Sequence, residues 1–472
     1  MKKFLLYLFT FLLVFIESVS DWADNYFGDV NFSEILFQLR SPLAATESSV
    51  MNAFFLKSLL PSVIISFIVF YLFSLLFKYI KDDNKKILKI VVVISIIIIS
   101  IFDVVHALNK FDFFNYVSAQ TTKSTYIEDN YVDPKSVSIK FPEKKKNLIY
   151  IYVESYESSY FSKELGGVKS ENLLEPITQL TKNNINFSNS DKFGGARDIN
   201  ETNWTSAAMT AQSTGLPLKL RLDNSDMLEE YTSIGDILHD NGYYNEFIMG
   251  SDASFGYRDL LLEGESYDKI LDYNEMIDME YIPADYKEWW GVEDKKVFEI
   301  AKSELDKLSE KDNFNLQILT SNTHVQDGYL DKSCPTKFED KYSNSIYCTA
   351  TEINEFIEWL KTTDYYDDTV IVITGDHITM QNNYFEEDDS RTIYNLFINT
   401  KSTFYNTNRD FSTMDMFPTT LSAMNVKIEG DRLGLGTDLF SGVETLIEKD
   451  GYDKFNDSMS NYSKFYYEKM RW

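Results

Sequence analysis

Five side chains stand where folded chains put reactive groups. Thr205 lies near the start of Asn203–Thr214, an uncharged stretch rich in small residues such as Ala207, Ala208, Ala211 and Ser213. Thr202 or Asn203 can cap a helix there, and Gly215-Leu216-Pro217 stops it. A hydroxyl in such a first turn sits among free backbone N–H groups at the positive end of the helix dipole, where it can attack or hold a phosphate or sulfate ester. Glu154 ends the apolar run NLIYIYV, and Asp376 and His377 follow the β-branched run DTVIVIT through Gly375. Carboxylate and imidazole side by side at a strand end are a common ligand mix for zinc or manganese. His324 closes a further run, FNLQIL followed by TSNTH, beside the acidic VQDGYLD.

Arg258 comes soon after another such run, YYNEFIMG, in SDASFGYR, and is a candidate bidentate clamp for phosphate. His239 lies near the end of the helical SIGDILHDN, where a histidine complements the dipole, and takes no catalytic role.

The elements that must position these groups alternate. Strand-like runs are separated by helical segments at Ser233–Asn241, Lys295–Leu308, Ala350–Leu360 and Asp415–Asn425, with Pro418 in the first turn of the last. A final strand, TIYNLFINT, precedes that helix. Such alternation predicts an α/β domain with a mostly parallel central sheet, whose chemistry lies at the carboxyl edge of the strands. Glu154, His324 and Asp376–His377 all fall at that edge. Cys334 and Cys348, the only two cysteines, have a separation that suits a local disulfide between a long loop and the Ala350–Leu360 helix. The pair Arg197-Asp198 has no evident place in this scheme.

The amino-terminal part differs in kind. Behind Lys2 and Lys3, Phe4–Ile16 is apolar and is either a signal sequence, with Ser18-Val19-Ser20 as its cleavage site, or a short first membrane helix. Leu59–Phe77 carries no charge, and Ile87–Phe102 forms a second apolar run that continues to Leu108. Between them Lys78, Lys81, Lys85 and Lys86 mark a cytoplasmic loop, so the chain after Phe111 is expected outside the membrane. Asp103 and His106 read as polar residues at a helix exit. The expected organisation is a membrane anchor over 1–111 with two or three spanning helices, a polar linker over 112–146, and an extracytoplasmic catalytic domain over 147–472. A net charge of −28 excludes a nucleic-acid partner.

Taken together, NLIYIYVES, NWTSAAM with STGLP, SNTH with DGYL, TGDH, and DMFPTTL with LGLGTDLF resemble the sulfatase-type phosphoglycerol transferases of the alkaline phosphatase superfamily. That group includes phosphoglycerol transferase I and the lipoteichoic acid synthases, and the Asn-Trp-Thr form around Thr205 is nearer the former. The resemblance implies an alkaline phosphatase/sulfatase-like sandwich behind transmembrane helices. It implies that Glu154, Thr205, Asp376 and His377 hold one divalent metal, manganese foremost, with magnesium or zinc as alternatives. Thr205 would be the nucleophile. Arg258 and His324 would hold the phosphate oxygens and steady the leaving group, and Trp204 would border the substrate. The implied donor is phosphatidylglycerol, which would leave a glycerophospho-threonine and release diacylglycerol. The implied acceptor is a hydroxyl of a glycan or of a polyglycerophosphate chain, outside a bacterial inner (cytoplasmic) membrane.

A phosphoethanolamine transferase of the same superfamily and a metal-free glycan-binding module are the competing readings. A formylglycine sulfatase does not fit, because NWTSAAM lacks the Cys/Ser-x-Pro/Ala-x-Arg pattern.

Overall fold

The computed structural model describes residues 2–28, 30–42, 48–79, 82–220, 230–381, 383–386, 390–400 and 406–469. The chain divides into two compact units. One comprises residues 1–35, 46–118 and 380–382; the other comprises 36–45, 119–379 and 383–472.

The first unit is helical. A single helix runs from Lys2 to Phe27, through the small residues Ser18-Val19-Ser20. The segment Ser48–Phe54 passes through one wide turn, Phe55–Leu59, into Leu60–Tyr79, and Asp82–Lys110 follows. Two stretches, Val50–Leu72 and Ile90–Lys110, are long and apolar enough to cross a membrane. They leave Phe67, Ile98 and Phe102 more than half exposed, which in water would be a liability and against lipid is not. At the polar end of this bundle Lys110 bridges Asp21 at 2.9 Å and Asp24 at 3.0 Å, and His106 lies 3.5 Å from Glu17. Ile80 and Lys81, part of the basic loop expected to be cytoplasmic, lie outside the described residues.

The second unit is an α/β domain around a seven-stranded sheet. Its strands are β1 (Asn147–Val153), β2 (Gly195–Ala196), β3 (Tyr244–Met249), β4 (Lys269–Leu271), β5 (Phe314–Leu319), β6 (Thr369–Gly375) and β7 (Ile393–Ile398). Their order is β2-β7-β6-β1-β5-β3-β4, parallel throughout except that β7 runs antiparallel to β6 and β2 antiparallel to β7. Both faces are covered, so β1 has no polar alternation: Ile149, Ile151 and Val153 enter one core, Leu148, Tyr150 and Tyr152 the other. Register aligns the ends that matter. Val153 pairs with Gly375 and Tyr152 with Leu319, so β1, β5 and β6 deliver their following residues to one place.

Three sequence expectations change. The 112–146 stretch, expected as a linker, is folded: helices cover Phe113–Thr121 and Tyr126–Asn130, and Ile139–Lys140 pairs with Lys427–Ile428. Its polar composition hid these short elements. The helix expected from Ala350 begins at Lys341, because the Asp340 carboxylate accepts from the Ser343 N–H and caps it there. It therefore contains Cys348, whose disulfide to Cys334 ties the preceding loop to its own helix. Arg197, which had no place, follows the short edge strand β2 and pairs with Asp410 at 2.7 Å.

Candidate active site

Three turns at the carboxyl ends of β1, β5 and β6 meet the start of the Thr205–Thr214 helix. That helix begins at Thr205 with Trp204 as N-cap, not Thr202 or Asn203, and no side chain caps it. Trp204 is extended there (φ −140°, ψ 161°), so the first-turn N–H groups keep no side-chain acceptor of their own. Nine residues from Ser206 to Thr214 are buried, and their small side chains let the helix press on the sheet. Gln212 fixes its depth: it accepts from the Tyr150 hydroxyl at 2.7 Å and donates to the Gly375 carbonyl at 3.1 Å.

Glu154 follows β1, and Ser155 then turns into the left-handed region at φ 50°. The turn aims the Ser155 N–H at Asp376 Oδ1, 2.7 Å away, which also accepts the His377 N–H at 2.7 Å. Gly375 permits this approach, since a Cβ there would lie 1.9 Å from the Tyr156 carbonyl oxygen. Asp376 Oδ2 is left buried without a hydrogen-bond partner.

Glu154, Asp376 and His377 are 3%, 0% and 2% exposed, and one ligand atom of each lies within 4.8 Å of the others. His377 Nε2 is 3.6 Å from Glu154 Oε1 and 3.4 Å from Asp376 Oδ2. Thr205 Oγ1 joins them, 3.2 Å from Glu154 Oε2 and 3.5 Å from His377 Nε2. The Nδ1 of His377 lies 2.8 Å from the Ile378 carbonyl. A carbonyl only accepts, so Nδ1 holds the proton and Nε2 turns its lone pair toward the two carboxylates.

Burial followed by the Glu154 charge pushes Asp376 up to about 7. Burial, the largest influence, would also raise Glu154, but the positive charge of His324 and His377 when protonated, with hydrogen bonds from Ser155 and Thr205, holds it below the usual range. Two buried carboxylates, an imidazole lone pair and an orphaned oxygen facing one point fit a divalent cation. Glu154, Asp376 and His377 are the candidate donors, and the Thr205 hydroxyl lies beside them.

His324 and Arg258 lie close enough to interact electrostatically with Glu154. His324 Nδ1 is 2.6 Å from the Val325 carbonyl, so by the same reasoning Nε2 is the nitrogen left for chemistry. Arg258 is 6% exposed; its Nε donates to the Phe255 carbonyl and one Nη to the Asp252 carbonyl, both at 2.9 Å. The other Nη makes no hydrogen bond within the described residues, and burial lowers the group to about 10 without discharging it at neutral pH. Trp204 is 3% exposed and lies beneath Phe37, with ring centroids 5.9 Å apart. Its ring is covered. His239 is exposed on the last turn of the Ile234–Asp240 helix.

Other supporting residues were not singled out in the sequence. Asp294 accepts from the Ser321 N–H at 2.7 Å and the Asn322 N–H at 3.1 Å, and so holds the loop that carries His324. The Thr323 hydroxyl donates to the Glu154 carbonyl. Glu157, 0% exposed, accepts from the Thr379 N–H at 2.8 Å and pairs with Arg391. An acidic residue opening the Asp294–Leu308 helix was visible as a dipole partner, but nothing local revealed its second task across the fold.

A mostly parallel mixed sheet with this cluster at its carboxyl edge defines an alkaline phosphatase-like α/β domain. Residues 146–426 match the family described as Sulfatase, and the chain belongs to it. It is 30% identical over 325 residues to phosphoglycerol transferase I of Escherichia coli O127:H6, across 65% of this chain and 41% of that protein. The chain thus spans about two-fifths of the length of the curated relatives it matches. Among solved structures it is similar to the lipoteichoic acid synthase LtaP of Listeria monocytogenes (TM-score 0.51, 20% identity, 67% of this chain and 81% of that one). It is also similar to an alkaline phosphatase superfamily protein of Vibrio parahaemolyticus (TM-score 0.50, 21% identity, 67% of this chain and 76% of that one). At these identities the two structures speak for the fold.

Proposed function

We propose that the chain is a membrane-anchored, metal-dependent phosphoglycerol transferase. It would move glycerol phosphate from phosphatidylglycerol to a hydroxyl of an extracytoplasmic glycan. One observation carries this reading: the Thr205 hydroxyl opens an uncapped helix and lies 3.2 Å from Glu154, in the same cluster as Asp376 and His377. The 30% identity to a protein named phosphoglycerol transferase I supports the head group.

Glu154, Thr205, Asp376 and His377 would hold the divalent metal, manganese before magnesium or zinc. When bound, the cation would lower the threonine pKa and offset charge on the transferring phosphoryl group. In the first half, Thr205 Oγ1 would pass its proton through water to His324 Nε2 and attack the phosphorus of phosphatidylglycerol. The phosphorus–oxygen bond to diacylglycerol breaks, and His324 Nε2 delivers a proton to the departing oxygen. Arg258 neutralises a nonbridging phosphate oxygen, and the first-turn N–H groups of the Thr205 helix face developing negative charge. In the second half, His324 would take the proton of the acceptor hydroxyl, which attacks the glycerophospho-threonine, and pass that proton to the departing Thr205 oxygen, so both groups return to their starting forms. Water entering instead gives slow hydrolysis.

The Val50–Leu72 and Ile90–Lys110 helices would span a bacterial cytoplasmic membrane, with the Lys78–Lys86 loop inside and the α/β domain outside. The Cys334–Cys348 disulfide is consistent with that oxidising side. An anchored enzyme meets a bilayer donor at high effective concentration. Head-group competition tests the assignment: the full chain with vesicles holding both phosphatidylglycerol and phosphatidylethanolamine should consume the former. Consumption of phosphatidylethanolamine alone would make it a phosphoethanolamine transferase.

A further inference from the structure

We infer that Phe255 and Trp290 form a stacking platform for the sugar ring that carries the acceptor hydroxyl. This deepens the reading of the chain as a transferase to glycans and rests on it. The two rings close a circuit between the residues assigned to the phosphate. The Arg258 guanidinium carbon lies 5.6 Å from the Phe255 centroid, Phe255 lies 5.1 Å from Trp290, and Trp290 lies 4.8 Å from His324. An acceptor oxygen that gives its proton to His324 brings the rest of its molecule beside these rings.

Neither ring belongs to the sheet cores. Both are half-buried, whereas Tyr150, Tyr152 and Tyr156 are 0–1% exposed. The turn that presents Trp290 is built at a cost. Glu288 and Gly291 exchange backbone hydrogen bonds at 2.9 and 3.0 Å, and between them Trp289 takes φ 55°, a region a bulky residue adopts only under constraint. Gly291, at φ 151°, is held against the end of β3, where a Cβ would meet the Gly250 carbonyl oxygen at 2.4 Å. The Trp289 indole N–H donates to the Ser321 carbonyl at 2.9 Å, which ties the turn to the loop of His324.

The occupant follows from chemistry. One face of a pyranose is lined by C–H groups and stacks on an aromatic ring, while its hydroxyls need acceptors at the rim. Glu288 accepts from Tyr329 at 3.0 Å and Glu293 from Tyr286 at 2.8 Å, so carboxylates and phenols border the turn. That acidic border suits a neutral sugar and repels a second anionic lipid or a polyglycerophosphate chain.

The test uses the full-length enzyme with phosphatidylglycerol vesicles and two acceptor probes, a neutral gluco-oligosaccharide and a glycerophosphate oligomer. The ratio of transfer to hydrolysis is read for wild type, Trp290→Ala, Trp290→Phe and Phe255→Leu. Transfer to the gluco-oligosaccharide should fall about tenfold relative to hydrolysis in Trp290→Ala and recover in Trp290→Phe. A ratio that stays within about twofold in both Trp290→Ala and Phe255→Leu would overturn the platform, as would transfer to the glycerophosphate oligomer independent of either ring. Calorimetric titration with the gluco-oligosaccharide alone separates this inference from the donor assignment. Binding that Trp290→Ala abolishes supports the platform even where phosphatidylglycerol is not consumed, and no binding by wild type overturns it.

Discussion

His377 Nε2 faces Glu154 Oε1 across 3.6 Å with its proton on the other nitrogen, fixed there by the Ile378 carbonyl. A lone pair aimed at two buried carboxylates is repulsive unless a cation lies among them. Asp376→Asn and His377→Ala should therefore lose divalent metal. Elemental analysis of dialysed protein should show a loss exceeding the about 10–100-fold in affinity that outer-shell changes cost.

Asp294 acts at one remove, through the N–H groups of Ser321 and Asn322. Asp294→Asn keeps the shape but replaces one accepting oxygen by a donor, and the loop of His324 loosens. The expected result is a fall in kcat of roughly tenfold or more with bound metal unchanged, read by kinetics and elemental analysis together. Loss of metal in this variant would show that the loop supports the cation rather than the proton carrier.

Glu265 lies under the candidate nucleophile helix and accepts from Ser213 at 2.8 Å. Burial, the largest influence, pushes it up to about 8 from an ordinary 4.5. The folded chain thus keeps a proton that the unfolded chain releases, and the stability this group contributes is lost as pH rises from about 4.5 to about 8. Glu265→Gln is neutral at every pH and lacks that slope. Its melting temperature should gain on wild type steadily between about pH 5 and pH 8. A difference that does not change with pH would mean that Glu265 is ionised in the folded chain.

Phe37 is 1% exposed and touches Trp204 and Tyr257, with ring centroids 5.9 and 5.7 Å away. The Tyr257 hydroxyl also donates to the Arg40 carbonyl. A segment lying before the apolar spans in sequence thus covers the two residues that precede Thr205 and Arg258. Phe37→Ala should destabilise the domain by about 3 kcal/mol, measured by denaturant or thermal unfolding. Phe37→Leu should recover most of that.

The strand ends were legible because a parallel sheet buried on both faces is written as uninterrupted apolar runs, and what stops each run, Glu154 after Val153 or Gly375-Asp376-His377, is polar. The start of the Thr205 helix was nearly so; the cap was misread because Thr202 and Asn203 are good capping residues in isolation, while Trp204 caps through backbone shape alone. What stayed hidden depends on residues distant in sequence. Asp294 reaches the His324 loop, Gln212 reaches Gly375, and Phe37 reaches Trp204, and no local period records such pairs. The mixed composition of 112–146 likewise concealed elements of only a few residues, whose order comes from the partners they pack against.

The central claim is that Thr205 transfers glycerol phosphate from a lipid with the help of a metal. The most direct measurement is diacylglycerol release from phosphatidylglycerol by the purified full chain with manganese, for wild type, Thr205→Ala and a chelated sample. The account expects release by wild type, and loss of it both on chelation and in Thr205→Ala, by several orders of magnitude in the variant (roughly 10³-fold or more). Release that persists in Thr205→Ala, or that ignores the chelator, would contradict it.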